Sequence, residues 1–466
     1  MWPVHPRPTI GAPLRVPCVS DARARVMRAL DTGRARTYCA RGARRLEFFS
    51  REAARFAVLR VLIAMPSPAQ PSPVAARGRL HFLDGLRGLA CLYVLLFHEL
   101  SNGLIAPNKL NPVLKCLHAW LNYGRLSVVF FIVLSGFSLM LPIARAGTGR
   151  LLGGFRGYIY RRARRILPPY YAALVLSAGM ILAFNLLGPR FGLGQKIDDA
   201  ALETGSVVSH LLLLHNLRFG WAYRINGPMW SVATEWQIYF IFAAALLPLY
   251  RRFGAVVTCV VGWVVGALPF FLLPPDRNLF WACPWFIGSF AMGMWAALIG
   301  FSPSHRESAL RNRAPWQLLT VLCFGTLVCL AALGFAASWP YPVVDLVVSF
   351  FAFSWINACV AEGAGENESH GFVLRLLSSR PLVYLGGFSY SLYLVQHPML
   401  KLIEKAEGRL HLSDDGYAIL QLVVTTPVVM AAAWLFSELF ERPFTVGGIL
   451  LPALRRRSSV ARPQAS

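Results

Sequence analysis

Three residues that can do chemistry stand on one apolar stretch near the start of the ordered sequence pattern. They are Asp84, Arg87 and His98, in Leu83-Asp84-Gly85-Leu86-Arg87-Gly88 running on to Leu96-Phe97-His98. Ionisable groups inside an apolar span are costly, so they are read first as functional. Arg87 and His98 are 11 positions apart. On a helix that leaves them within about 20° of one face and about 16 Å apart along the axis. The stripe carries a fixed cation near one end and a titratable imidazole deeper in. An imidazole titrates near neutrality, which suits a general base acting on a hydroxyl, with Arg87 holding an anionic or carbonyl group. Asp84, one turn before Arg87, can pair with it. The plainer alternative is a structural Asp84–Arg87 pair with His98 at an interface.

Further along, Trp230-Ser231-Val232-Ala233-Thr234-Glu235-Trp236-Gln237-Ile238-Tyr239 spaces Ser231, Glu235 and Tyr239 at i, i+4 and i+8, on one helix face. A carboxylate in an apolar span is expensive unless neutral or paired. Glu235 is expected to tune or orient His98 or to hold an acceptor; the alternative is a protonated side chain bonded between helices. In Tyr160-Arg161-Arg162-Ala163-Arg164-Arg165-Ile166-Leu167-Pro168, Arg162 and Arg165 share a face if helical. Guanidinium groups take phosphate bidentately, so this run reads as a clamp for the phosphates of coenzyme A. By composition alone it reads as a topology signal. Ser135 and Gly136, in Leu134-Ser135-Gly136-Phe137, read mainly as small residues for close helix packing. Gly387 to Pro398 carries Tyr and Ser one turn apart as a polar stripe, and Glu441–Arg442 reads as a structural ion pair. The nine cysteines show no Cys-x-x-Cys or Cys/His ligand spacing, so neither a metal site nor a disulfide framework is indicated.

These residues need membrane helices to position them. Hydrophobic residues make up 56% of the 466 and charged residues 15%, too little charge to cover a soluble surface. Apolar runs of about 20 residues, the length that crosses a bilayer, recur near 83–103, 124–143, 166–187, 230–250, 254–274, 279–300, 316–337, 343–361, 382–402 and 416–437. The expected fold is all-α, a polytopic bundle of about ten transmembrane helices. With the N-terminus inside, the inner loops and tail hold 19 Lys and Arg against nine outside, so both termini are expected in the cytoplasm. The long outer loop 188–229 is a candidate cover for an acceptor site. The net charge of +24 is spread over short loops and an Arg-rich leader, which argues against nucleic acid. Residues 1–79 are Arg- and Pro-rich and read as a disordered extension, a transit-like leader or an upstream stretch before Met65. Residues 80–445 form the membrane domain and 446–466 a basic cytoplasmic tail.

Taken together, these segments resemble the acyltransferase-3 family of membrane O-acyltransferases, over about residues 80–445. Its Arg-x10-His element is matched by Arg87 and His98. Its Phe-Phe-x-x-Ser-Gly-Phe segment is matched by Phe130, Phe131, Ser135, Gly136 and Phe137, with one extra residue. Its Arg-x-x-Arg-Ile-x-Pro element is matched by Arg162, Arg165, Ile166 and Pro168, and its Trp-Ser-Leu-x-x-Glu-x-Gln-Phe-Tyr block by Trp230, Ser231, Glu235, Gln237 and Tyr239. Two departures stand out. A frequent second Glu is Trp236 here, and the His of Tyr-Leu-x-His is Gln396, with His397 one place later. No role is therefore carried onto His397. Some members carry a C-terminal soluble hydrolase-like domain; this sequence reads as the membrane-only form.

The resemblance implies an enzyme that moves an acyl group, acetyl in the first instance, from cytosolic acyl-CoA to a hydroxyl of a cell-envelope glycan or glycoside. Arg87, His98 and Glu235 would be catalytic, Arg162 and Arg165 would bind the donor, and Asp84, Ser231, Tyr239 and Ser135 would support the site. Acyl-CoA, lipid and the glycan acceptor are the expected partners, in a bacterial inner membrane. A transporter or flippase without covalent chemistry is the alternative, since intramembrane charge suits it as well; no inverted repeat or pair of discontinuous helices speaks for it.

Overall fold

The structure, a computed structural model, describes residues 80–101, 103–191, 199–334, 339–363 and 371–445. The extension 1–79 and the tail 446–466 lie outside the described residues. The described elements are helical throughout. Helix α1 spans His81–Leu100, α2 Pro112–Leu121, α3 Gly124–Ala146 and α4 Gly154–Phe191. A loop carries the short α5, Thr204–Leu211. Helix α6, Met229–Ile241, runs through a π-turn at Phe242–Leu246 into α7, Leu247–Leu272. Then follow α8 Phe286–Phe301, α9 His305–Arg313, α10 Trp316–Ala332 and α11 Tyr341–Glu362. The last set is α12 Phe372–Leu377, α13 Arg380–Gly386, α14 Ser389–Glu407, α15 Asp414–Leu420, α16 Thr426–Phe436 and α17 Arg442–Thr445, with π-turns on either side of α16.

Local chemistry sets the boundaries. Asn111 caps α2, its side chain accepting from the N–H groups of Val113 and Leu114 at 3.0 Å, and Pro112 follows at the first helical position. The α6–α7 stretch of 44 residues would be about 66 Å long if straight, twice a bilayer core of about 30 Å. Gly254, at φ 86°, breaks it into two arms. This is where the sequence pattern separates its fourth and fifth spans.

Helix α8 is central. Every residue except Ile287 and Trp295 is buried, the mark of a helix apolar all round. It crosses α3 at contact distance of backbones: a Cβ on Gly136 would lie 2.0 Å from the Phe290 carbonyl oxygen, and one on Gly293 1.9 Å from that of Val133. Only small residues allow such an approach. By contrast, α7 and α10 leave apolar side chains such as Val256, Val260, Val264 and Val321 exposed, a surface suited to lipid.

Five described helical stretches are long and apolar enough to cross a membrane, or six if α8 and α9, bent by 91°, count as one. Helices α1 and α14, counted as spans by the sequence pattern, are more polar, and α10 is shorter. A buried ion pair ties α3 to α11. Arg125 donates to Asp345 Oδ2 at 2.9 Å, Trp285 Nε1 donates to the same oxygen at 2.8 Å, and the guanidinium lies 4.7 Å from the Tyr341 ring centre. The Glu441–Arg442 pair expected from the sequence is not formed. Arg442 pairs instead with Glu438, one turn back, and Glu441 accepts from the hydroxyl of Ser391 at 2.5 Å and its backbone N–H at 3.3 Å. The carboxylate thus meets orphan donors in the first turn of α14.

Candidate active site

Helices α1, α3, α4, α6 and the start of α14 enclose one cavity. Arg87 enters it from α1. Its guanidinium donates to Asp84 Oδ1 at 3.1 Å and to Ser138 Oγ at 2.5 Å, so the helix that carries the cation also carries its counter-charge one turn away. Gly85 and Gly88 flank these residues because α1 is pressed against α12 and α13. A Cβ on Gly85 would lie 1.7 Å from the Leu377 carbonyl oxygen.

Glu235 faces the same cavity from α6. Tyr239 Oη donates to its Oε1 at 2.7 Å, and the Ser135 hydroxyl of α3 donates to that oxygen too. The i, i+4, i+8 stripe of the sequence is therefore a real face: Ser231, Glu235 and Tyr239 all line the cavity. The sequence pattern alone assigns Ser135 mainly to packing. In the fold its neighbour Gly136 does the packing, and Ser135 turns to the carboxylate. Ser231 shares a hydrogen bond of 2.7 Å with the Tyr393 hydroxyl of α14.

Arg162 and Arg165 line the cavity from α4. The segment is helical, so the two guanidinium groups do share a face, on which Ile166 also reaches the cavity. Arg87 has its carboxylate partner; Arg162 and Arg165 form no ion pair among the described residues. Three guanidinium groups around one cavity, two of them without a bound carboxylate, make a place for an anion of two or more charges.

His98 does not line this cavity. It sits in the last turn of α1, about 16 Å of helix beyond Arg87. Glu235 takes its hydrogen bonds from Ser135 and Tyr239, not from His98, so the expected direct tuning is absent. Instead His98 meets α14. The Gln396 side chain lies beside its imidazole, and the His397 ring stands edge-on to it, centroids 6.1 Å apart.

Helix α14 therefore joins the two places. Tyr390 and Tyr393 line the cavity, and Gln396 and His397 meet His98 one turn later. Its position is fixed at a proline. Pro398 has no N–H, so the carbonyl of Leu394 loses its helical donor. Asn226, 1% exposed, supplies one through Nδ2 at 2.9 Å. The same side chain binds Ser177 Oγ of α4 at 3.1 Å. Asn226-Gly227-Pro228 thus seats the loop before α6 on α14 beside His397. Gly227 is confined there: a Cβ would lie 2.9 Å from the Tyr223 ring and 3.4 Å from His397 Nε2.

Sequence reasoning missed Ser138, Tyr390 and Tyr393, and it set His397 aside. The signal for the tyrosines was present in the polar stripe of residues 389–393. Nothing in the sequence pattern pairs His397 with His98, because the pairing depends on where two distant helices cross. No cluster of three or more His, Cys, Asp or Glu side chains able to hold a metal occurs among the described residues.

A family model described as an acyltransferase domain, acyltransferase-3, matches residues 80–438. YrhL of Bacillus subtilis (strain 168), assigned to peptidoglycan O-acetylation, is 26% identical over 339 residues, covering 69% of this chain and 48% of its own. The O-acetyltransferase OatA of Staphylococcus aureus (strain NCTC 8325 / PS 47) is 21% identical over 330 residues, covering 68% of this chain and 50% of its own. The peptidoglycan O-acetyltransferase OatA of Listeria monocytogenes (serovar 1/2a) is 26% identical over 168 residues, 35% of this chain and 24% of its own. The chain thus spans about half the length of the first two relatives, or less. No solved structure matches it. With the family model matched from the first helix through the last apolar one, the chain belongs to the acyltransferase-3 family.

Proposed function

We propose that this chain is a multi-pass O-acyltransferase of a bacterial inner membrane. It would take an acyl group, acetyl in the first instance, from cytosolic acyl-CoA and deliver it to a hydroxyl of a cell-envelope glycan. The observation that carries the reading is the convergence of Arg87, Arg162 and Arg165 with Glu235 on one cavity built from helices far apart in sequence. Peptidoglycan is the first acceptor to test, because relatives are named for it. The bundle would have about ten spans with both termini in the cytoplasm, as the distribution of basic residues favours. The membrane domain would run over 80–445, between the Arg- and Pro-rich extension and the basic tail.

In this reading Arg162 and Arg165 hold the donor's phosphates at the cytoplasmic mouth. Arg87, fixed by Asp84 and Ser138, would hold an anionic or carbonyl group of the donor, whose thioester end reaches on along α1 toward His98. Glu235, held by Ser135 and Tyr239, balances the cavity's positive charge, and Ser231 with Tyr393 lines the way toward His98. The imidazole of His98 either takes the proton of the acceptor hydroxyl or carries the acyl group between two steps.

The test is release of CoA thiol from acetyl-CoA by membranes holding equal amounts of each variant, with and without a cell-wall glycan preparation. Arg162→Ala and Arg165→Ala should raise the KM for acetyl-CoA about tenfold or more, the scale of one lost charged hydrogen bond of about 1.5–3 kcal/mol. Arg87→Ala and His98→Ala should lower kcat by at least about 100-fold, as loss of a general base or an electrostatic partner does. Wild-type membranes that match empty ones across several acyl-CoAs would end the reading.

A further inference from the structure

Resting on the acyltransferase reading, we infer that His397 is the base that activates the acceptor hydroxyl, while His98 carries the acyl group. Two imidazoles meet between α1 and α14, with ring centroids 6.1 Å apart and planes at 75°. They are not equivalent. His98 Nδ1 and Gln396 Oε1 are both buried, and neither has a hydrogen-bond partner among the described residues. The Gln396 side chain lies beside the His98 ring, and in this proposal the two orphaned atoms pair, with Nδ1 carrying the proton. Nε2 of His98 is then the unprotonated nitrogen, held as a nucleophile by a neutral amide. His397 instead turns its Nε2 toward Gly227 in the loop before α6, beside the ring of Tyr223, which is 50% exposed. His397 thus borders the side from which an acceptor can arrive, and His98 borders the helix that leads back to the donor cavity.

The chemistry needs both. In the first step His98 Nε2 forms a bond to the thioester carbonyl carbon, the carbon–sulfur bond breaks, and the thiolate leaves to take a proton from water as CoA thiol. The acyl-imidazolium keeps its Nδ1–H against Gln396. In the second step the acceptor oxygen bonds to that carbonyl carbon and the carbon–nitrogen bond breaks. His98 recovers its Nε2 lone pair. The hydroxyl proton cannot go to Nε2 of His98 while that nitrogen is acylated. It goes to His397 Nε2, which borders Gly227, and from there to water. Gln396 is a positioning residue, since it acts through His98.

The test uses the full chain purified in detergent, acetyl-CoA labelled in the acetyl group, and solubilised glycan strands free of O-acetyl groups. Wild type should release CoA and label the glycan. His98→Gln should do neither and should take up no label itself. His397→Gln should release one equivalent of CoA and hold the label on the protein, while transfer to glycan falls at least 100-fold. Imidazole added to His397→Ala should restore transfer, a rescue that a packing role would not give. The inference is overturned if His397→Gln transfers within a few-fold of wild type, or if it loses self-labelling together with transfer. It is also overturned if imidazole leaves His397→Ala unchanged. If wild type itself releases no CoA from acetyl-CoA, it is the acyltransferase reading that has failed.

Discussion

Asn226 has one task that few side chains can take over. Its Nδ2 replaces the donor that Pro398 removes from α14, and it does so where water is excluded. Asn226→Ala leaves the Leu394 carbonyl buried without a partner, at a cost of about 1–3 kcal/mol. Thermal unfolding of the purified variant should show that loss. The effect on catalysis should be larger than the melting shift suggests, because His397 and Gln396 lie on the turns whose position Asn226 fixes. Residues of this kind explain why motif reading finds a site only in part. Arg87, Glu235, Tyr239, Arg162 and Arg165 were legible because helical spacing places each on a face with its neighbours. Asn226, Gln396 and His397 were not, because their meaning lies in which helix crosses which.

At the scale of helices, backbone proximity is the controlling variable. Gly136 and Gly293 let α3 and α8 cross with carbonyls against Cα atoms, and that crossing aims Ser135 at Glu235. Gly136→Leu should therefore yield little monodisperse protein on size-exclusion chromatography. Gly179→Ala, where a Cβ would meet nothing within 4 Å, should be stable and serves as the control. Most span positions followed from the apolar runs. The division at Gly254 falls at the break between the fourth and fifth runs, whereas the π-turns flanking α16 have no counterpart in apolar periodicity. Close packing of α1 on α12 and α13 was not legible in the apolar runs.

For the molecule as a whole, the segment between α4 and α6 adds a pH limit. His210 and His215 stack there with ring centroids 3.9 Å apart and planes 6° apart, and both are fully buried. Burial holds His210 down to about 4, and burial together with His210 holds His215 down to about 3. Unfolded, each would titrate near 6.5. Above that value both states are neutral and stability is unaffected. As pH falls from 6.5 toward 4 the unfolded chain gains protons that the folded one refuses, so stability is lost through that window. The melting temperature should fall steadily from pH 7 to pH 4.5, and His210→Phe with His215→Phe should flatten the slope.

The pair between Arg125 and Asp345 joins residues 220 positions apart. Each charge alone is costly in a hydrocarbon environment, and removing one partner of a buried pair is costlier than never having built it. During synthesis Arg125 is complete long before Asp345 exists. Until α11 arrives, the start of α3 has to keep its guanidinium in water or among the aromatic rings around it. The two helices therefore seal against each other late, and the order of translation is written into the bundle as a charge waiting for its partner.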